Sequence, residues 1–256
     1  MAAGTVLLGG SRAFAQKPGE AGPAGPAAAT SEIRIAFVGD SLADGLWGGI
    51  VRGVQRDRCL RGRVNCGRYA RNGTGLTRLD TFSWPSEMRT IVGSFAPHVV
   101  VVSLGLNDRQ LIVEEDQRRS QWGTAQWDER YMVNVQALAR AAMSGGARVV
   151  WMGLPALRDR TADEDARVKN VLFETALTQL GEPGARFLAP WRLNQAGEDV
   201  FQSYARGATG GMIQIRATDG IHFTSAGYDM IVAYLFPHIV DALTEGGVAL
   251  PSCNAT

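Results

Sequence analysis

Ser41, Asn107, Asp219 and His222 are the side chains in this sequence whose types and settings could together cleave an acyl bond. A serine hydroxyl attacks a carbonyl only when a positioned base takes its proton. The chain offers 3 histidines for that task. His98 leads into an apolar run and belongs to the far edge of a sheet. His238 follows Pro237 inside a helical stretch and reads as packing. His222 alone stands in a turn. Asp219, just upstream, is placed to hold the imidazole in one tautomer and to stabilise its protonated form. The attack also needs hydrogen-bond donors aimed at the developing oxyanion. The Asn107 amide, the Ser41 backbone N–H and the backbone N–H of Gly75 or Gly73 are the candidates. Each has an ordinary alternative: the glycines as tight turns, Asn107 as a loop cap, Asp219 and His222 as a structural pair.

These residues need a scaffold that brings distant turns to one edge. Residues 33–38, 99–104 and 147–152 are short, apolar and rich in Val and Ile, as strands buried on both faces should be. Residues 64–69 and 187–188 are weaker strand candidates. Helical stretches fall between them at 42–54, 85–95, 127–143, 163–180 and 225–243. The last carries Tyr228, Ile231, Val232, Leu235 and Ile239 on one face, with Ser225 as its expected N-cap. Such alternation implies βαβ units and a parallel sheet covered on both sides, a single three-layer α/β/α domain. Ligands in such folds bind beyond the carboxyl ends of the strands. Three strands there are followed by Gly39-Asp40-Ser41-Leu42, Asn72-Gly73-Thr74-Gly75 and Gly105-Leu106-Asn107-Asp108. Asp219-Gly220-Ile221-His222 precedes the last helix.

The composition allows such a domain. Of 256 residues, 45% are hydrophobic and 20% charged, and 26 Lys and Arg offset 25 Asp and Glu. That balance lacks the basic footprint of a nucleic-acid binder. No apolar run reaches the roughly 18 residues of a membrane-spanning helix. With 3 cysteines and 3 histidines, a metal cluster built from them is not expected.

Together the turns resemble the SGNH, or GDSL-type, hydrolase superfamily. Gly39-Asp40-Ser41-Leu42 is similar to its first block, Gly75 (with Gly73 as a rival) to the second-block glycine, Gly105-Leu106-Asn107-Asp108 to the third block, and Asp219-Gly220-Ile221-His222 to the fifth. They occur in the family's order. The resemblance implies a flavodoxin-like sheet, Ser41 as nucleophile, His222 as base held by Asp219, and an oxyanion hole of Ser41, Gly75 and Asn107. It implies no metal or organic cofactor. The substrate it implies is a small-molecule or polysaccharide acyl ester, with short acyl groups such as O-acetyl on an envelope or extracellular polysaccharide expected. An acyltransferase would share the acyl-enzyme, whereas a non-catalytic carbohydrate-binding or assembly factor would have no need of all four side chains. The G-x-S-x-G turn of α/β-hydrolases is missing around Ser41, since position 43 is Ala. More narrowly, Gly73-Thr74-Gly75-Leu76, Phe82-Ser83-Trp84-Pro85, Trp151-Met152-Gly153-Leu154-Pro155 and Arg216-Ala217-Thr218-Asp219-Gly220-Ile221-His222-Phe223 resemble a bacterial subfamily of exported proteins, the DUF459 type.

Outside the domain expected at 32–245, residues 1–15 read as a truncated signal peptide ending in Ala13-Phe14-Ala15, or as an alanine-rich tail. Residues 16–31 read as a Pro/Ala/Gly-rich linker and 246–256 as a C-terminal tail. Export would place the protein in the periplasm or outside the cell. Cys59 and Cys66 could there close a short disulfide loop, the alternative being three free thiols. The polar connection at 109–126 is too long for a tight turn and is expected to carry substrate selection. Trp84, Trp122 and Trp127 either stack a sugar ring beside the crevice or pack in the core. Arg109, Arg118, Arg119 and Arg158 either meet an anionic substrate or lie solvated. Asp40 and Asp108 read as organisers of their turns.

Overall fold

The computed structural model of the chain describes residues 32–190 and 200–250. Its first half runs β1 (Ile33–Gly39), α1 (Ser41–Arg56), β2 (Val64–Ala70), α2 (Trp84–Phe95), β3 (Val99–Ser103), β4 (Ile112–Val113), β5 (Arg119–Ser120) and α3 (Ala125–Met143). There follow β6 (Arg148–Met152), α4 (Arg160–Leu180), β7 (Ala185–Leu188), β8 (Tyr204–Arg206), β9 (Met212–Gln214) and α5 (Ser225–Glu245).

The sheet has the order β2-β1-β3-β6-β7, with every pair parallel. That is the flavodoxin-like order, whose switch point falls between β1 and β3. Val99, Val100, Val101 and Val102 are all fully buried in β3, because a strand covered by helices on both faces has no side to give to water. Helices α1 and α5 pack together on one face, and α2, α3 and α4 form a row on the other. The result is the expected three-layer α/β/α fold. No described helix is long and apolar enough to cross a membrane.

Differences from the sequence expectation lie at the edges and caps. The weak candidate at 64–69 is a full strand, β2, and its half-exposed pattern reflects its place at the sheet edge. Helix α4 begins at Arg160, because the Asp159 side chain caps it by accepting from the Ala162 N–H. Thr224 rather than Ser225 caps α5. Its hydroxyl accepts from the Gly227 N–H at 3.1 Å, and Ser225 is the first helical residue. The 109–126 connection is also more ordered than its polarity implies. β4 and β5 pair as a hairpin, Ile112 and Val113 are buried, and the Val113 N–H donates to the Thr77 carbonyl at 2.7 Å.

The Cys59–Cys66 disulfide does not form. Cys66 lies inside β2 as a free thiol packed against the core, and burial pushes it up to about 12. Cys59, in the turn after α1, is disulfide-bonded, but not to Cys66. The expectations for residues 1–31, and for 251–256 of the tail, lie outside the described residues. Val248 and Leu250 pack against the core.

Candidate active site

Strand β1 ends at Gly39, whose backbone (φ 148°) crosses so close to β3 that a Cβ would lie 1.9 Å from the Ser103 carbonyl oxygen. Only glycine fits there. Asp40 follows as the N-cap of α1, its Oδ1 accepting from the Leu42 N–H at 2.9 Å. Ser41 is therefore the first helical residue, and its own N–H has no carbonyl one turn earlier to bind.

Across the crevice, in the turn before α5, His222 Nε2 lies 2.6 Å from Ser41 Oγ. His222 Nδ1 lies 2.7 Å from Asp219 Oδ2. The other carboxylate oxygen, Oδ1, accepts from the Ile221 and His222 N–H groups at 2.8 and 2.9 Å. Burial works to raise the Asp219 pKa, but the hydrogen bonds from the His222 ring and these two amides outweigh it and bring it to about 2. An ionised Asp219 can only accept, so Nδ1 carries the proton and Nε2 is free to take one from Ser41. The serine, the imidazole and the carboxylate that the sequence separates by up to 181 positions thus form one hydrogen-bonded line.

The turn is gripped from below by Arg216, a residue that the sequence reading did not single out as functional. It is 1% exposed, and its guanidinium lies 4.1 Å from the Phe223 ring centroid and 4.7 Å from that of Phe201. Its N–H groups donate to the carbonyls of Ile221 (2.9 Å), Gly220 (3.4 Å) and Ala156 (2.9 Å). Burial lowers its pKa to about 10. Nothing in residue spacing marks this arginine as buried.

After β3, Asn107 Nδ2 donates to the Thr74 carbonyl at 2.9 Å, leaving its second N–H uncommitted. Next to it Asp108, fully buried, organises the Gly75 loop. Its carboxylate accepts from the Leu76 N–H at 2.9 Å, Thr77 Oγ1 at 2.9 Å and Tyr131 Oη at 2.7 Å. Gly75 is pressed against that carboxylate, so that a Cβ there would stand 1.8 Å from Asp108 Oδ1. Gly73, at φ 76°, has open space around it. Asp40 shares this buried region, and burial pushes its carboxyl up to about 7. Its Oδ2 has no partner among the described residues. Thr77 and Tyr131 were not anticipated as parts of this network, nor Lys169 as a buried charge near it. A signal existed for the last two, since each interrupts the apolar stripe of its helix with a polar atom.

Trp84 and Trp127 are core residues, 1% and 0% exposed, and do not border a crevice. Trp122 is half-buried, edge-on to Trp127, with the Lys169 ammonium 5.3 Å from its ring. Arg109 pairs with Asp165 and Arg118 with Asp116, and Arg119 is exposed. Arg158 donates to the Thr218 carbonyl, one residue before Asp219. Among the described residues no group of three or more His, Cys, Asp and Glu side chains is placed to hold a metal ion.

Sheet order and the placement of these turns define the fold of the SGNH, or GDSL-type, hydrolases. The chain matches, over residues 34–238, the family described as "Protein of unknown function (DUF459)", and it belongs to that family. Among solved structures it is similar to a carbohydrate esterase family 3 protein from Talaromyces cellulolyticus, with a TM-score of 0.56 and 13% identity over 83% of this chain and 99% of that one. It is similar to Axe2, an acetylxylan esterase from Geobacillus stearothermophilus, with a TM-score of 0.53 and 15% identity over 88% of this chain and 98% of that one. A GDSL-like lipase from Bacteroides thetaiotaomicron has a TM-score of 0.52 and 19% identity, over 82% of this chain and 89% of the other. No curated protein matches the chain.

Proposed function

We propose that the protein is a serine esterase that removes short acyl groups, O-acetyl foremost, from an envelope or extracellular polysaccharide. The observation that carries this reading is the 2.6 Å contact from Ser41 Oγ to His222 Nε2, continued at 2.7 Å to Asp219. His222 takes the hydroxyl proton as Oγ attacks the ester carbonyl, and Asp219 stabilises the imidazolium that forms. The N–H groups of Ser41 and Gly75 and the free N–H of Asn107 receive the oxyanion, each such donor contributing about 3 kcal/mol to the transition state. The imidazolium then protonates the departing alcohol. Water, deprotonated by His222, attacks the acyl-serine, and Ser41 leaves with its proton restored.

Gly75 serves as donor in preference to Gly73 because the carbonyl of its own peptide, Thr74, is held by Asn107 and the N–H of the next, Leu76, by Asp108. A short acyl group is supported by likeness to Axe2, described as an acetylxylan esterase. The carbohydrate side rests on likeness to proteins described as a carbohydrate esterase and an acetylxylan esterase. Action outside the cytoplasm is supported by Ala13-Phe14-Ala15 and by the oxidised Cys59, a state typical of oxidising compartments.

The test is an active-site phosphonate label combined with p-nitrophenyl acetate hydrolysis. Wild type should carry the adduct on Ser41, and Ser41→Ala and His222→Ala should lose both adduct and turnover. Hydrolysis retained in Ser41→Ala would remove the serine from the mechanism. A mature N-terminus near Gln16 in periplasmic protein is the expected sign of export; an intact chain confined to the cytoplasm would contradict it.

A further inference from the structure

A second cavity opens one residue from Asn107. It has a volume of about 190 Å³ between the β3–β4 connection, the residues after β6, and α4. Leu106, Leu154 and Leu157 give it apolar walls, and Arg109, Asp165 and Lys169 line it with polar groups. Lys169 is the unusual member. It occupies the buried face of α4 with Ala166, Leu172 and Phe173 and is 2% exposed. Its ammonium makes no hydrogen bond or ion pair among the described residues, only the contact with the Trp122 ring. A buried ammonium is ordinarily paired and hydrogen-bonded, because leaving its donors unmatched is costly. Lys169 thus lines the cavity with no acceptor committed to its N–H groups.

The charges around the cavity select the class of ligand. Arg109 lies 3.3 Å from Asp165. Asp165 and the buried Asp108 act on the Lys169 charge, and the Asp159 carboxylate, also in the lining, caps α4. With both signs balanced, a carboxylate or phosphate that met Lys169 would also face Asp159 and Asp165. A neutral group with several hydroxyls meets no such conflict, since each hydroxyl both donates and accepts. The volume falls below the roughly 300 Å³ at which pockets for drug-sized ligands begin, which suits one small ring and not a chain of them.

We propose that this cavity is a subsite for one neutral sugar ring of the substrate, with Lys169 and Arg109 donating to its hydroxyls and Asp165 accepting from one. The proposal rests on the esterase reading and names the alcohol side of its substrate. Leu106, in the cavity lining, is the residue before Asn107.

The experiment compares kcat/KM for a monoacetylated methyl glycoside with that for p-nitrophenyl acetate, which lacks the sugar. In Lys169→Met the ratio of the two should fall at least about tenfold, the size expected for losing a charged hydrogen-bond donor. The more exposed Arg109→Gln serves if Lys169→Met fails to fold, and its ratio should fall about threefold or more by the same reasoning. An unchanged ratio in folded variants overturns the subsite, as does a parallel loss on both esters with a lowered Tm, which marks a structural lysine. A wild type that prefers an acetylated uronic acid, with the preference lost in Lys169→Met, would make the cavity an anion site and sink the neutral-sugar assignment. Should wild type cleave neither ester, the esterase reading fails. The cavity is then tested by calorimetry with unacetylated methyl glycosides, where binding lost in Lys169→Met supports it and no binding overturns it.

Discussion

Arg216 donates to the carbonyl of Ile221 at 2.9 Å, holding from the interior the peptide that leads into His222. The same guanidinium reaches Ala156, in the connection between β6 and α4, so one buried cation ties the His222 turn to the body of the fold. Arg216→Met keeps the bulk between Phe201 and Phe223 but leaves the Ala156 and Ile221 carbonyls without their donor. We expect a loss of about 3 kcal/mol of stability and a fall in kcat at temperatures where the variant is fully folded. Thermal unfolding and steady-state kinetics on one preparation check this. Wild-type values for both would show that the turn holds itself.

Asp219→Asn tests the tautomer. The Asn oxygen would accept from the Ile221 and His222 amides, which leaves its NH2 facing Nδ1. Nδ1 would then have to accept and Nε2 would carry the proton, so Nε2 could no longer take one from Ser41. A drop of about 10⁴-fold in kcat is expected for such a reversal. Because wild-type Asp219 stays ionised down to about pH 2, any loss of activity between pH 4 and 7 arises elsewhere. Rates within a few fold of wild type in Asp219→Asn would remove this carboxylate from the chemistry.

Asp40 gives a stability signature with a definite sign. Its carboxyl titrates near 7 when folded, against an ordinary value of 3.8. Between those values the folded chain keeps a proton that the unfolded chain has released, so stability falls as pH rises through that window and levels off above it. Asp40→Asn retains an N-cap side chain without the titration. Its Tm relative to wild type should climb from pH 4 to pH 7 at fixed ionic strength. A constant offset across that range would show that Asp40 is not the buried acid described.

The two rival glycines separate by substitution. Gly75→Ala drives a methyl to within 1.8 Å of Asp108 Oδ1 and should cost about 1–3 kcal/mol by overpacking, with loss of activity. Gly73→Ala meets open space and bears only the strain of φ 76°, about 1 kcal/mol, with activity kept. Equal losses of activity in both would mean that the whole loop, rather than the 74–75 peptide, shapes the site.

Much of this was legible in order along the chain. The runs at 33–38 and 99–104 mark central strands, because short segments rich in Val and Ile suit a strand buried on both faces. Ser41, Asn107, Asp219 and His222 are legible as candidates because each stands in a short turn at the end of such a run or before a helix. Caps such as Thr224 and Asp159 were partly legible, but which oxygen accepts depends on the φ and ψ of a single residue. The disulfide was not legible, since proximity in sequence says nothing about whether a side chain such as that of Cys66 is turned into the core.

What only the tertiary structure decided is how the turns are held. Arg216 and Asp108 sit among apolar neighbours, where a charge persists only if the right dipoles surround it. Those dipoles are backbone carbonyls and amides from other elements, and no residue letter encodes where a distant carbonyl will point. Residue type and period therefore determined the strands and named the reacting groups. Burial and long-range hydrogen bonding decided which loops stand still around them.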